Sequence, residues 1–259
     1  MMAAIVKRRA LRRGEAPELR CLVTLSPLGP NQWALDGDQN GGGWRGVVWL
    51  SLIPKGTAMT NALTIIHWEH HSIESVLHAL GYFVDQMWAG KRAPENKVFR
   101  AMLQYIDLFA EHLHHPKEDR HLFRRLRLRT HRADELLDLL EADHHSGAEK
   151  IRVLGQAFLR YEEGGLAYFY AFAVAFRDYA RFYRAHMRCE EEMLFPLAES
   201  VLTDEDWREI DAAFAGQGDF RVSPQTKHDL DKLFDHILSI TPAPIGAAPE
   251  LTGAFRPLG

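Results

Sequence analysis

Apolar side chains recur at alternating steps of four and three along successive stretches of this chain, the spacing of one buried stripe on an α-helix. The first stripe runs Ile66, His70, Ile73, Leu77, Leu80, Val84 and Met87, and stops at Gly90 with Pro94 beyond it. A second helix is predicted from about Glu95 to Leu128. The third stripe is Ala133, Leu137, Leu140, His144, Gly147, Ile151, Leu154 and Phe158, ending before Gly164 and Gly165. The fourth is Phe172, Phe176, Tyr179, Tyr183, His186, Glu190, Met193 and Leu197. Four helices of similar length joined by short connections predict an all-α, antiparallel four-helix bundle. Residues 204–215 and 224–239 read as two shorter helices, a helical extension before the Pro-rich tail. No repeat of 34 to 40 residues is evident, which sets aside an α-solenoid.

Residues 1–58 do not share this pattern. They hold Pro27, Pro30 and Gly41-Gly42-Gly43, with one β-like patch over 47–53, and read as an irregular segment. The expected boundaries are therefore an irregular 1–58, a helical domain over 59–245 and a flexible tail over 246–259, with Met59 a candidate alternative start. Of the net charge of −4, the first 58 residues contribute +4 and the remainder −8. An acidic main body is a poor partner for nucleic acid, and none is expected. The longest uncharged apolar stretch, Leu166–Phe176, is too short to cross a bilayer, so no membrane partner is expected. Two cysteines, Cys21 and Cys189, imply no disulfide framework and point to the cytoplasm.

Histidine is over-used: 14 occur, all between His67 and His236. Six fall in three doublets (70/71, 114/115, 144/145), and neighbours on a helix point about 100° apart. The apolar phase selects His70 and His144. On the second helix Leu103, Ala110, His114, Glu118 and Leu122 select His114 over His115, although Pro116 removes a backbone donor and bends the helix there. An internal echo strengthens the choice. His114 to Phe123 and His186 to Phe195 both read H-x-x-x-E-[DE]-x-x-L-F, and each follows a helix bearing one seam histidine.

Six polar residues thus point inward: His70, His114, Glu118, His144, His186 and Glu190. Two unpaired carboxylates in an apolar core would each cost several kcal/mol. A bound cation removes that penalty, and two His and one Glu per half, with positions left open, match the ligand set of a non-haem Fe(II) site. Two such halves imply a dinuclear centre. His67, His71, His112, His115, His121 and His145 are read as surface or outer residues. Tyr179 and Tyr183 read as aromatic core, Cys189 as a half-buried thiol, and Glu191 and Glu192 as solvated. The basic run at 124–129 reads as a solvated helix end.

Through WEHHSI, HHPKEDRHLF, DHHSG and HMRCEEEMLFP, residues 64–200 resemble the hemerythrin-like (HHE cation-binding) family. The resemblance implies two non-haem iron ions, rather than manganese or zinc, with an exchangeable position for O2, NO or a related small ligand. It carries over His70, His114, Glu118, His144, His186 and Glu190 as ligands, with Glu118 and Glu190 as bridges. Oxygen-carrying hemerythrins have a second histidine one turn after the third-helix ligand, where Ala148 stands here. They also place an aspartate five residues after the fourth-helix histidine, whereas Glu190 follows His186 by four. Sensing, scavenging or iron handling is therefore the expected role. The alternative is an enzyme consuming O2 or peroxide, or an iron donor in iron–sulfur repair. Ferritin-like di-iron enzymes order their pairs Glu-x-x-His, which neither motif here does. A zinc hydrolase lacks a candidate base.

Overall fold

The structure is a computed structural model that describes residues 61–215 and 224–241. The expected irregular segment 1–58, its β-like patch and the tail over 246–259 lie outside the described residues. Among the described residues every regular element is helical. Helix α1 is Asn61–Trp88, α2 is a continuous rod over 96–129, α3 is Asp134–Gly164 and α4 is a second continuous rod over 169–201. Two shorter helices follow, α5 (Asp204–Phe214) and α6 (Pro224–Ile240). None of these helices is long and apolar enough to cross a membrane.

The punctuation follows local chemistry. Past α1, Gly90 adopts φ 74°, its N–H donates to the Met87 carbonyl, and the Lys91 N–H donates to that of Gln86. This left-handed close satisfies carbonyls that the helix end would otherwise leave bare, and a Cβ would strain it. Helix α5 opens on a capping box, with Thr203 accepting from the Asp206 N–H while Asp206 accepts from that of Thr203.

Contacts between the long helices run in opposite chain order. Glu69 near the start of α1 meets His114 and Lys117, while Phe83 near its end meets Phe99. In the same way His144 meets Asp119 and Phe158 meets Phe99, and His144 meets His186 while Phe158 meets Phe172. Glu74 pairs with Arg184 and Trp88 packs on Phe169.

The apolar interior falls into two blocks. One holds Ile73 to Met87 of α1, Val98 to Ala110 of α2, Ile151 to Tyr161 of α3 and Phe172 to Met187 of α4, and α6 adds Leu230 and Ile237. The other holds Ala62 to Ile66, Leu122 to Leu126, Ala133 to Leu140 and Cys189 to Leu202, closed over by Trp207, Ile210 and Phe214 of α5. On α1, α2 and α3 the inward polar residues stand in the gap between the blocks, and on α4 His186 and Glu190 flank it.

Both H-x-x-x-E motifs meet π-helical turns: Asp107–His114 and Glu118–Phe123 flank Pro116 in α2, and Glu190–Leu194 interrupts α4 just after the regular turn that carries His186. These wider turns correct the expected phase. Ile106, Ala110, His114, Glu118, Leu122 and Leu126 are all buried, yet each step of four on a regular α-helix drifts by about 40°. The π turns absorb that drift. In α4 the same slip exposes Met193 and buries Leu194 in its place, which the regular seam did not foresee.

Candidate metal centre

All six inward residues converge between the two apolar blocks. His114, Glu118 and Glu190 are fully buried, and His70, His144 and His186 nearly so. Each histidine turns Nε2 toward the two carboxylates. The Glu190 Oε2 lies 3.2 Å from His70 and 3.4 Å from His186. The Glu118 Oε2 lies 3.5 Å from His114 and 3.7 Å from His144, whose Nε2 is also 3.7 Å from the Glu190 Oε1. These approaches are near enough for attraction but do not align as hydrogen bonds. Both oxygens of Glu118, both of Glu190 and the Nε2 of all four histidines have no hydrogen-bond partner.

The residues form two overlapping groups, each with donor atoms within 4.8 Å of one another: His70, His114, Glu118 and Glu190 in one, His144, His186, Glu118 and Glu190 in the other. Glu118 and Glu190 are common to both. Each group could hold a metal ion.

A second set of carboxylates, which sequence reasoning missed, surrounds this centre. The Nδ1–H of His114 donates to Glu69 Oε2 at 2.8 Å, that of His144 to Asp119 Oδ1 at 2.8 Å, and that of His70 to Glu191 Oε1 at 2.7 Å. Asp143 Oδ2 stands 3.7 Å from His186 Nδ1. The arrangement is cyclic: α1 serves the histidine of α2, α2 that of α3, α3 that of α4, and α4 that of α1. Glu191, expected in solvent, is thus a partner of His70. Giving Nδ1–H to a carboxylate fixes the tautomer that leaves the Nε2 lone pair facing inward, as metal-ligating histidines require. The signal was present in the sequence, because every outer carboxylate is the chain neighbour of an inward residue (69/70, 118/119, 143/144, 190/191).

Electrostatics differ across the centre. Burial pushes the Glu118 carboxyl well up, and the adjacent Glu190 charge adds to it. Burial opposes ionisation of Glu190 too, but His186, His144 and His70 outweigh it and hold that carboxyl well below the usual range. Burial likewise disfavours charge on His70 and His144. The carboxylates of Glu190 and Glu191 nevertheless raise His70 to about 9, and those of Asp119 and Glu190 raise His144 to about 9. Burial prevails at His114, which falls to about 4 despite Glu69. Glu69 itself is held at about 2 against its burial by His114 and Lys117.

The residues read as outer ones divide. His71, His112 and His145 are exposed, and His67 and His121 partly so. His115 is a correction. It is buried, with its ring stacked on His144 at 4.1 Å between centroids and tilted by only 11°. The surrounding π turns bring both members of the doublet inward, where a regular α-helix would admit one. Its Nδ1 pairs with Glu111 Oε2 at 3.1 Å, and Tyr183 donates its hydroxyl to Nε2 at 3.0 Å. Tyr179 donates to Glu111 Oε1 at 3.1 Å, so both tyrosines are core residues with a polar role. Glu111 has room because Gly147 faces it: a Cβ there would lie 2.9 Å from its carboxylate oxygens. Burial pushes Glu111 up to about 7 despite the Tyr179 bond.

Two smaller expectations also change. Cys189 is buried against Met193, not half-buried. The basic run is not simply solvated, since Arg127 pairs with Asp138 and Glu141, and Arg125 and Arg129 reach Asp206.

Compared with known protein families, residues 61–198 match the model of the hemerythrin HHE cation binding domain. A comparison with curated proteins finds no match.

Proposed function

The chain belongs to the hemerythrin HHE cation-binding family, and on that premise we propose that it is a non-haem di-iron protein binding O2, NO or a related small ligand in sensing, scavenging or iron handling. The observation that carries this reading is the set of unpartnered buried donors: both oxygens of Glu118 and Glu190 and the Nε2 of four histidines, all facing one another. Native interiors leave only a few such groups unpaired per hundred residues, whereas here eight stand together. Imidazole and carboxylate are the donors that non-haem iron takes, so the residues present fit two such ions.

His70 and His114 would hold one ion and His144 and His186 the other, with Glu118 and Glu190 common to both groups. The four long helices, with contacts in reversed chain order, support an antiparallel four-helix bundle, extended by α5 and α6 within a domain over 59–245. Two irons so held would supply electron donation to a small ligand at an exchangeable position. The chain's own residues do the rest. Glu69, Asp119 and Glu191 hold the Nε2 lone pairs inward, and the apolar blocks on either side exclude water. Two cysteines are too few for a disulfide framework, which supports a cytoplasmic setting, and the acidic body argues against a nucleic-acid partner.

Elemental analysis of purified protein, with optical spectra under nitrogen and air, tests the proposal. Two irons per chain and oxo-bridge absorption appearing in air are expected. Protein purified without metal and unable to take up iron would overturn it. Steady-state O2 or peroxide consumption by the loaded protein would replace ligand binding with turnover.

A further inference from the structure

Among the four outer carboxylates Glu69 is set apart. Asp119, Asp143 and Glu191 keep 34%, 28% and 29% of their side chains exposed, Glu69 only 13%. Among the described residues it is also the one of the four that pairs with a lysine or arginine. Lys117 donates to its Oε1, while its Oε2 accepts the Nδ1–H of His114 at 2.8 Å. A carboxylate so far withdrawn from water needs a cation beside it. His114 and Lys117 stand three residues apart on α2, so one turn presents both to Glu69.

What holds Lys117 comes from α5. Its Nζ lies 5.1 Å from the centroid of the Phe214 ring, within reach of a cation–π attraction. The ammonium thus sits between a carboxylate and an aromatic face, and the side chain is only 14% exposed. Lysines ordinarily carry the charged head out to water; this one is turned in. Phe214 is the last residue of α5, and α5 is fastened elsewhere too. Asp206 accepts from Arg129, and Trp207 and Ile210 are buried. Asp211 Oδ1 accepts the Ala62 N–H at 2.8 Å, one of the donors that the start of α1 leaves unpaired.

We propose that Lys117 is a positioning residue that couples the docking of α5 to the ion held by His70 and His114, by way of Phe214, Glu69 and His114. This rests on the dinuclear reading and names a control on that same site. The ammonium fixes one oxygen of Glu69, so the other stays aimed at His114. A carboxylate left to swing would let the imidazole turn its Nε2 away from the ion. Coupling of this kind is reciprocal. Whatever holds α5 in place tightens the ion, and an ion that fixes His114 keeps Lys117 beneath Phe214 and α5 against the bundle.

Two measurements on the full-length protein test this: anaerobic calorimetric titration of the metal-free chain with Fe2+, and amide hydrogen exchange with and without iron. The wild type should bind two ions. Lys117→Met should still bind two, one of them at least about fivefold more weakly, the low end of ordinary coupling between sites. Lys117→Arg, which keeps a cation for both Glu69 and Phe214, should restore most of that loss. Phe214→Leu, apolar but without a ring face, should weaken the same ion and add nothing when combined with Lys117→Met. Iron should slow exchange at residues 210–214 of α5 more than at residues 233–237 of α6, and Lys117→Met should erase that excess, which packing alone would not do. Should Lys117→Met fail to fold, Phe214→Leu and the wild-type exchange decide the matter. Fe2+ affinity unchanged in both variants, or protection no greater in α5 than in α6, overturns the proposal while leaving the dinuclear centre standing. Failure of the wild type to load two ions overturns the reading beneath it.

Discussion

Removing metal should destabilise this protein strongly, and the structure gives the scale. Eight buried side-chain atoms facing one another at the centre are without hydrogen-bond partners: four carboxylate oxygens and four Nε2 atoms. At the low end of about 1 kcal/mol for each buried unsatisfied group, they would oppose folding by about 8 kcal/mol once the metal is gone. That is comparable to the about 5–15 kcal/mol by which whole domains are stable. Water entering the vacated centre and a proton on Glu118 offset part of this. If only a third survives, the roughly 3 kcal/mol corresponds to a fall in Tm of about 6–12 °C for a domain of this size. The assay is calorimetry of full-length protein with iron and after chelation, with metal content measured in both samples. A double variant, Glu118→Met with Glu190→Met, should reverse the sign. It should bind no iron, yet melt above the chelated wild type, because apolar side chains of similar volume often replace buried ionic groups with a gain of about 1–4 kcal/mol. Equal melting of loaded and chelated wild type would refute the reasoning, as would a double variant less stable than chelated wild type.

Further tests separate the parts of the site. Asp119→Asn should lower metal affinity by about 10- to 100-fold without unfolding the chain, since Asp119 holds His144 from a half-buried position; isothermal titration with Fe2+ reads this. His145→Ala should leave metal content unchanged, because that ring is exposed and bonds only the Glu141 carbonyl, whereas His114→Ala should lose metal. Thr203→Ala should lower stability by about 1 kcal/mol through loss of the α5 cap, measured by urea denaturation. Asp206, held below the ordinary carboxylate range by Arg129, stabilises the folded chain above its unfolded value of 3.8 and loses that contribution as pH falls through the depressed folded value. The stability gap between wild type and Asp206→Asn should therefore be full at pH 7 and narrow below about pH 3 to 4.

The sequence carried the helices because their burial is one-sided. All seven residues of the first stripe and all eight of the third are buried, and the helices end at the glycines that the pattern marked. What it did not carry is where the helical period changes. A run of apolar or ligand residues at Ile106, Ala110, His114, Glu118, Leu122 and Leu126, with no step of three, cannot stay on one face of a regular α-helix. That run was itself a sign of wider turns; taking Leu103, Ala110, His114, Glu118 and Leu122 as a regular seam placed His115 outside, and taking the fourth stripe as regular placed Met193 inside. Composition gives no such warning, because π turns depend on backbone hydrogen bonds that no single residue type demands.

The outer carboxylates were hidden for a different reason. Glu69, Asp119, Asp143 and Glu191 lie off the apolar stripes, and an acidic residue off the stripe ordinarily means a solvated face. Here each lies about 100° around its helix from an inward neighbour, which aims it across the groove at the histidine of the adjacent helix. The same register that places a ligand therefore places the group that orients the next helix's ligand. The centre and its outer ring are then one constraint on packing, since a long helix that rotated by one residue would withdraw both its own ligand and its neighbour's carboxylate. The ring is closed by hydrogen bonds at three of its four steps and open at Asp143, which stands 3.7 Å from His186. That open step is on the same side as His115. The histidine pair with the looser outer support is the pair with a further imidazole beside it, so the two halves differ in wiring even where their motifs repeat.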